Sequence, residues 1–251
     1  MKWLITGLGG TLAPVLAQLA RQAGADMLAW DRSQVSPDDA GASRAWLERE
    51  RPTAIAHLAT GSADWAGRLA AYGAEQGLPF VFTSSAMVFH HDPDGPHAPH
   101  DTRTARDDYG RYKIACEDAV FSAYPEASVV RIGWQIDEEQ AGNNMLMALD
   151  GWQRDQGRVA ASTLWRPACS FMGDTAEALV RLLLAPVAGV HHLDSNADEG
   201  HTFYAVACAL RDAFGREAWQ VEPNEEYAHD QRLVGGLEVP PLSSRLSTLA
   251  R

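Results

Sequence analysis

Residues 2–31 read KWLITGLGGTLAPVLAQLARQAGADMLAWD, and the order of patterns in them decides the fold class. A short apolar strand over residues 2–6 runs directly into Gly7-Leu8-Gly9-Gly10-Thr11-Leu12-Ala13. A helical stripe of Leu12, Val15, Leu16, Leu19 and Ala20 follows. Glycines at such a corner let the backbone turn tightly and approach a pyrophosphate, which rests on the free amides of the helix N-terminus. The spacing is G-x-x-G-x-x-A, from Gly7, Gly10 and Ala13, and Pro14 falls in the first helical turn, where its missing N–H costs little. A second strand, residues 27–30, closes at Asp31, about twenty residues beyond the glycines, where a carboxylate can accept from the adenosine ribose hydroxyls. Asp31 favours NAD(H). Arg32 directly after it can stack on adenine or pair with a 2'-phosphate, which keeps NADP(H) open. The cofactor candidates from this stretch are Gly7, Gly9, Gly10, Thr11, Leu12, Asp31 and Arg32.

Outward from it, helical and strand patterns alternate. Residues 42–50 read as a helix, 54–58 as a strand, 63–76 as an alanine-rich helix, 79–84 as a fourth strand and 127–131 as a fifth. Leu58, Ala59 and Thr60 close the third strand with small residues that let the backbone lie against a cofactor, and Thr83 stands near the end of the fourth. His57 lies in a buried strand pattern and reads as a core histidine. Beyond Arg131 the pattern becomes helix 143–152, strand 158–161, helix 173–184, strand 190–193 and helix 201–214. Such alternation predicts an α/β chain with a Rossmann-like, doubly wound parallel sheet. The sheet domain is expected over residues 1–131 plus part of 165–195, with a small C-terminal substrate-binding lobe from 132–164 and 196–251.

The chemistry concentrates in residues 81–113, VFTSSAMVFHHDPDGPHAPHDTRTARDDYGRYK. If the final segment is helical, Tyr109 and Lys113 lie one turn apart on one face, and phenol and ammonium converge. A free tyrosine ionises near 10, so a fixed cation is needed to bring its proton into play at neutral pH. Ser85, just beyond the C-terminal end of the fourth strand, supplies a hydroxyl for a substrate oxygen. The trio Ser85, Tyr109 and Lys113 suits carbonyl/alcohol interconversion beside a hydride carrier. Composition sharpens this reading, since the only lysines among 21 basic residues are Lys2 and Lys113. Arginine cannot replace a lysine that must sit compactly beneath a ribose and a phenol. Four histidines, His90, His91, His97 and His100, fall in the intervening loop, but no helical or CxxC frame fixes them as ligands, so no metal is expected and a mobile substrate loop is. Arg154, Arg158, Arg166 and Arg245 are candidates for pairing with a substrate phosphate.

A net charge of −12 argues against nucleic acid and anionic membrane as partners and for a small molecule. The three cysteines, Cys116, Cys169 and Cys208, form no CxxC pair and read as reduced thiols. No apolar run approaches a membrane span, and a soluble, cytoplasmic protein is expected.

Together, Gly7/Gly10/Ala13, Asp31, Ser85 and Tyr109-x-x-x-Lys113 resemble the extended short-chain dehydrogenase/reductase superfamily. Within it the chain is most similar to the dTDP-4-dehydrorhamnose reductase family of nucleotide-sugar reductases. The likeness runs through Ser84-Ser85-Ala86-Met87-Val88-Phe89, YGRYK at 109–113 and Arg131-Ile132-Gly133-Trp134. It continues in Asn143-Asn144-Met145, Arg166-Pro167 and Pro241-Leu242-Ser243-Ser244-Arg245-Leu246. The resemblance implies Tyr109 as proton donor, Lys113 as ribose ligand that lowers the tyrosine pKa, and Ser85 as holder of the substrate carbonyl. It also implies Ala86, Met87, Trp134, Asn143, Arg166 and Arg245 as substrate contacts, and a sugar nucleotide as substrate. A homodimer is a family expectation. Ala86-Met87 supplies no acid pair after Ser85, which argues against a dehydratase. Open beside the reductase reading are an NAD-dependent nucleotide-sugar epimerase, which returns its hydride, and a non-catalytic NAD(P)-binding regulatory subunit.

Overall fold

The structure, a computed structural model, describes residues 1–140 and 142–250. From the N-terminus run β1 (Lys2–Thr6), α1 (Leu12–Gln22), β2 (Asp26–Ala29), α2 (Ala40–Glu50), β3 (Ala54–His57), α3 (Ala63–Gln76) and β4 (Phe80–Ser85). After a long connection come α4 (Asp108–Ala123), β5 (Ser128–Ile132), β6 (Trp134–Ile136), α5 (Met145–Gln156), β7 (Val159–Ser162), β8 (Trp165–Arg166) and β9 (Cys169–Phe171). The chain ends with α6 (Met172–Leu184), β10 (Gly189–Leu193), α7 (Phe203–Ala213), β11 (Val221–Asn224) and β12 (His229–Asp230), apart from short 3-10 turns.

The chain divides into two units. The first comprises Met1–Val88, Ala105–Arg131 and Ala176–His191; the second comprises Phe89–Thr104, Ile132–Thr175 and His192–Arg251. The central six-stranded sheet has the order β10-β5-β4-β3-β1-β2, with β1 parallel to both β2 and β3, and β3 parallel to β4. This is the Rossmann-like architecture expected from the alternating pattern. The order reverses between β1 and β3, so a crevice opens at the carboxyl ends of those two strands, the position where open α/β sheets take ligands. One face of the sheet is closed by α2, α3 and α4, whose Trp46, Leu47, Trp65, Leu69, Cys116 and Val120 pack with Leu4, Ile55, Phe82 and Val129 from the strands.

Most element bounds fall within two residues of the sequence reading, and the shifts have local causes. Trp30 leaves β2: its indole donates to the Val35 carbonyl at 3.0 Å and its ring packs against Trp46 and Trp65. Ser85 is the last residue of β4 instead of lying beyond it. Helix α5 begins two residues late and runs four residues longer, because Asn144 caps its start, accepting from Met147 N at 3.1 Å, and Gly157, at φ +73°, ends it.

The second unit contains three two-stranded parallel pairs, β6/β9, β7/β11 and β8/β12, most of which sequence pattern did not announce. They pack with α5 and α7 around Phe203, Val206, Leu210, Met145, Leu149 and Trp219. The histidine loop belongs here, and the segment expected to be mobile is anchored at His97. His97 is buried, stacks on Phe89 with centroids 4.2 Å apart, and is bonded through its backbone to Arg232 and Val234. No described helix is long and apolar enough to cross a membrane.

Candidate active site

The glycine turn after β1 is locked by a buried polar pair. Thr6 Oγ1 accepts from the backbone N–H of Leu58 and of Ala59, both at 3.1 Å, and lies 2.8 Å from His57 Nδ1. With its lone pairs taken, the hydroxyl gives its own proton to Nδ1, so His57 is neutral with its hydrogen on Nε2. Burial, the largest influence, agrees with this: it pulls the imidazole pKa down to about 3, with the nearby charges of Lys113 and Arg32 acting in the same direction. Thr6 thereby draws Leu58 and Ala59 against the first turn. Gly7 stands at φ +85°, and a Cβ there would lie 2.9 Å from Ala59 N, so only glycine fits the approach. The Gly10 N–H closes the turn on the Gly7 carbonyl at 2.8 Å. Helix α1 starts without a side-chain cap hydrogen bond from Thr11, and nothing lies within 4 Å of a Cβ built at Gly9. An open glycine cradle at an uncapped helix N-terminus matches the shape and charge of a dinucleotide pyrophosphate.

Asp31 follows β2, its carboxylate accepting from Ser33 N at 2.9 Å, Ser33 Oγ at 2.7 Å and Gln34 Nε2 at 3.0 Å. Those hydrogen bonds hold it below the ordinary aspartate pKa, led by the Ser33 hydroxyl. Arg32 donates to the Thr60 carbonyl and lies over the Trp65 ring, 5.0 Å from its centroid. Arg32 and Thr60, two separate cofactor candidates in the sequence, are therefore in direct contact.

Ser85, Tyr109 and Lys113 come together in the first unit. Asp107 caps α4 by accepting from Gly110 N at 2.8 Å. The helix start is pressed against the chain after β4: a Cβ on Gly110 would stand 2.2 Å from the Met87 carbonyl oxygen. Gly110 is thus the residue that lets Tyr109 reach Ser85, and the two side chains share a hydrogen bond. The Ser85 hydroxyl also accepts from Met87 N at 3.1 Å. Met87 is exposed and Ala86 buried. Lys113 is buried, 3% exposed, and donates to the Thr83 carbonyl at 2.9 Å, with Nζ 5.0 Å from the Phe82 ring and 5.8 Å from the Tyr109 ring. Burial lowers its pKa to about 8, against the opposing pull of Cys116 and Glu117.

The electrostatics correct one expectation. The Tyr109 phenol is pushed above its ordinary pKa, chiefly by burial, with the Ser85 hydrogen bond pulling it back. Lys113 is not among the influences on it; its ammonium donates to the Thr83 carbonyl at 2.9 Å. Sequence reading also missed Tyr112, whose hydroxyl accepts from Gly61 N at 3.0 Å and ties α4 to the segment after β3. Helical spacing from Lys113 gives no hint of it.

The other expected contacts belong to the second unit. Trp134 is half-buried in an aromatic cluster with Trp152, Trp165 and Phe203, at centroid distances of 6.2, 6.3 and 6.1 Å. Asn143 is exposed just before the capping Asn144. Arg166 is exposed and donates to the Gly200 carbonyl at 3.2 Å. Arg245 pairs through two nitrogens with buried Asp174 and lies over the Phe171 ring. Arg154 and Arg158 form exposed pairs with Asp155 and Glu222.

Residues 60–233 match the family model described as RmlD substrate binding domain. A dTDP-4-dehydrorhamnose reductase of Mycobacterium tuberculosis is 30% identical over 208 residues, covering 74% of this chain and 67% of the relative. A dTDP-4-keto-6-deoxy-D-glucose reductase of Streptomyces niveus is 26% identical over 254 residues, covering 94% and 85%. The crystal structure of a Bacillus anthracis dTDP-4-dehydrorhamnose reductase in complex with NADP superposes with a TM-score of 0.82 at 16% identity, covering 99% and 98% of the two chains, a likeness of fold. The chain belongs to the RmlD substrate binding domain family, the dTDP-4-dehydrorhamnose reductases among the extended short-chain dehydrogenase/reductase oxidoreductases.

Proposed function

We propose that this protein reduces the keto group of a dTDP-linked 6-deoxy-4-ketohexose, using NADH or NADPH. The observation that carries the reading is the convergence of Ser85, Tyr109 and Lys113 at the end of β4, in a chain that also has an open glycine cradle after β1. When bound, the reduced nicotinamide supplies a hydride to the carbonyl carbon. Gly7, Gly9, Gly10, Thr11 and Leu12 hold the pyrophosphate, Asp31 and Arg32 the adenosine end, and Leu58, Ala59, Thr60 and Thr83 the side of the cofactor. The Ser85 hydroxyl orients the substrate oxygen. Tyr109 gives its phenolic proton to that oxygen as the carbon is reduced, so the carbonyl becomes an alcohol and the phenolate is left for solvent to reprotonate. A phenol with a raised pKa keeps its proton until the substrate oxygen takes it, and Lys113 would hold the nicotinamide ribose beside it. Of the second unit's residues, Trp134 would stack on the sugar, Asn143 would hydrogen-bond to the substrate, and Arg166 and Arg245 would face the diphosphate.

The test is the fall in nicotinamide absorbance when the purified protein is mixed with a dTDP-4-keto-6-deoxyhexose and either NADH or NADPH. A reductase consumes one cofactor per product, whereas an epimerase consumes none. Tyr109→Phe is expected to abolish turnover while fluorescence titration still detects cofactor binding. Near-normal turnover in that variant would sink the mechanism.

A further inference from the structure

Three consecutive residues of β4 each hold one residue on α4. The Ser85 side chain bonds to Tyr109, the Thr83 carbonyl accepts from Lys113 at 2.9 Å, and between them Ser84 Oγ donates to Glu117 Oε1 at 2.5 Å. Tyr109, Lys113 and Glu117 follow one another at four-residue intervals, so they form one stripe along the helix. Glu117 is 1% exposed and is gripped from β5 by Arg131, 3% exposed, through Nε to Oε1 at 2.9 Å and Nη2 to Oε2 at 2.8 Å. A charged carboxylate this deep in a protein core is costly to desolvate and is commonly dispensable for stability when its pocket can be filled by apolar groups. Its placement, however, joins the strand that carries Ser85 to the helix that carries Tyr109 and Lys113. The geometry points to Glu117 as a positioning residue for the reaction: held by Arg131, it fixes Ser84 and so the alignment of Ser85 with Tyr109, and it keeps a negative charge one turn from Lys113. This inference rests on the reductase reading above.

The charged and titratable groups around the Lys113 ammonium are Glu117, Cys116, Tyr109 and Tyr112 on its own helix and His57 on β3; Arg131 on β5 reaches it through Glu117. His57 is neutral, and the Cys116 thiol is pushed up by burial. That leaves Glu117 as the fixed anion supporting the ammonium form of Lys113.

Two variants test the assignment. Ser84→Ala removes one hydroxyl and leaves the ion pair intact, so the fold survives. It is expected to lower kcat at least about tenfold, since small misplacements at a reacting centre cost that much, with cofactor affinity unchanged and the fold intact by circular dichroism. Glu117→Gln keeps the shape and removes the charge. It is expected to move the alkaline fall of the kcat–pH profile toward lower pH by at least about half a unit, because Lys113 then loses its proton more readily. Ser84→Ala with kcat within about twofold of wild type overturns the inference. So does an unshifted alkaline limb in folded Glu117→Gln, and should that variant not fold, Ser84→Ala alone decides. Tyr109→Phe, run beside them, separates the failures. If it retains turnover, the reductase mechanism itself falls; if it is inactive while both other variants behave as wild type, only the role of Glu117 falls.

Discussion

Replacing Arg131 by Met isolates what the buried ion pair does for the fold. The arginine is 3% exposed and its partner Glu117 1% exposed, so removing the guanidinium leaves a carboxylate in the core with the Ser84 hydroxyl against it. Two opposite charges at about 4 Å attract by about 4 kcal/mol at the effective dielectric that suits protein sites, and breaking a buried pair from one side costs about 3–5 kcal/mol. For a chain of this size each kcal/mol moves Tm by about 2–4 °C, so Arg131→Met is expected to melt about 6–20 °C below wild type. The double variant Glu117→Leu/Arg131→Met removes both charges and fills their space with carbon. It gives up the attraction and the desolvation cost together, and is expected to recover to within about 2 kcal/mol of wild type, the Ser84 hydroxyl left without its acceptor being the main residual loss. Urea unfolding and thermal melts of the wild type, both single variants and the double variant complete a double-mutant cycle. A single variant that costs less than about 1 kcal/mol, or a double variant no more stable than Arg131→Met, would refute the claim that the two charges depend on each other.

Two further outcomes follow from the cradle. Gly7→Ala places a methyl group 2.9 Å from a backbone nitrogen at φ +85°, and should weaken NADH and NADPH binding at least about tenfold by fluorescence titration; binding within a factor of about two of wild type contradicts the close approach. His57, neutral in the fold and lowered to about 3, takes up a proton in the unfolded chain at its ordinary value near 6.5. Between those two values the unfolded state binds more protons, so this histidine's contribution to stability is intact above pH about 6.5 and is lost as pH falls toward 3, at up to about 1.4 kcal/mol per unit. His57→Asn should flatten that part of the urea-unfolding stability curve, and an unchanged slope would remove His57 as its source.

Much of this was legible along the chain because the signals are local. The strand, glycine turn and helix of residues 2–22, Asp31 after the second strand, and the one-turn spacing of Tyr109 and Lys113 all depend on backbone periodicity and on which residues tolerate tight turns. The short parallel pairs of the second unit were not legible, since β7, itself read as a strand, is separated from β11 by some sixty residues and nothing local marks the two as partners. The pairing of Arg245 with Asp174 was not legible for a related reason: the two lie 71 positions apart.

The sequence by itself determined the α/β class, the glycine cradle, the acid after β2 and the tyrosine–lysine stripe on α4, because each is set by neighbours within one or two helical turns. Only the tertiary structure decided how those parts engage. It put β3 beside β1, so that Thr6, His57 and the amides after β3 could lock the glycine turn. It gave the Lys113 ammonium to the Thr83 carbonyl instead of the phenol, and it joined Ser84, Glu117 and Arg131 from β4, α4 and β5. The physical reason is that hydrogen bonds and ion pairs act over about 3 Å of space whatever the separation along the chain, and the order of strands in a sheet sets which residues come that close.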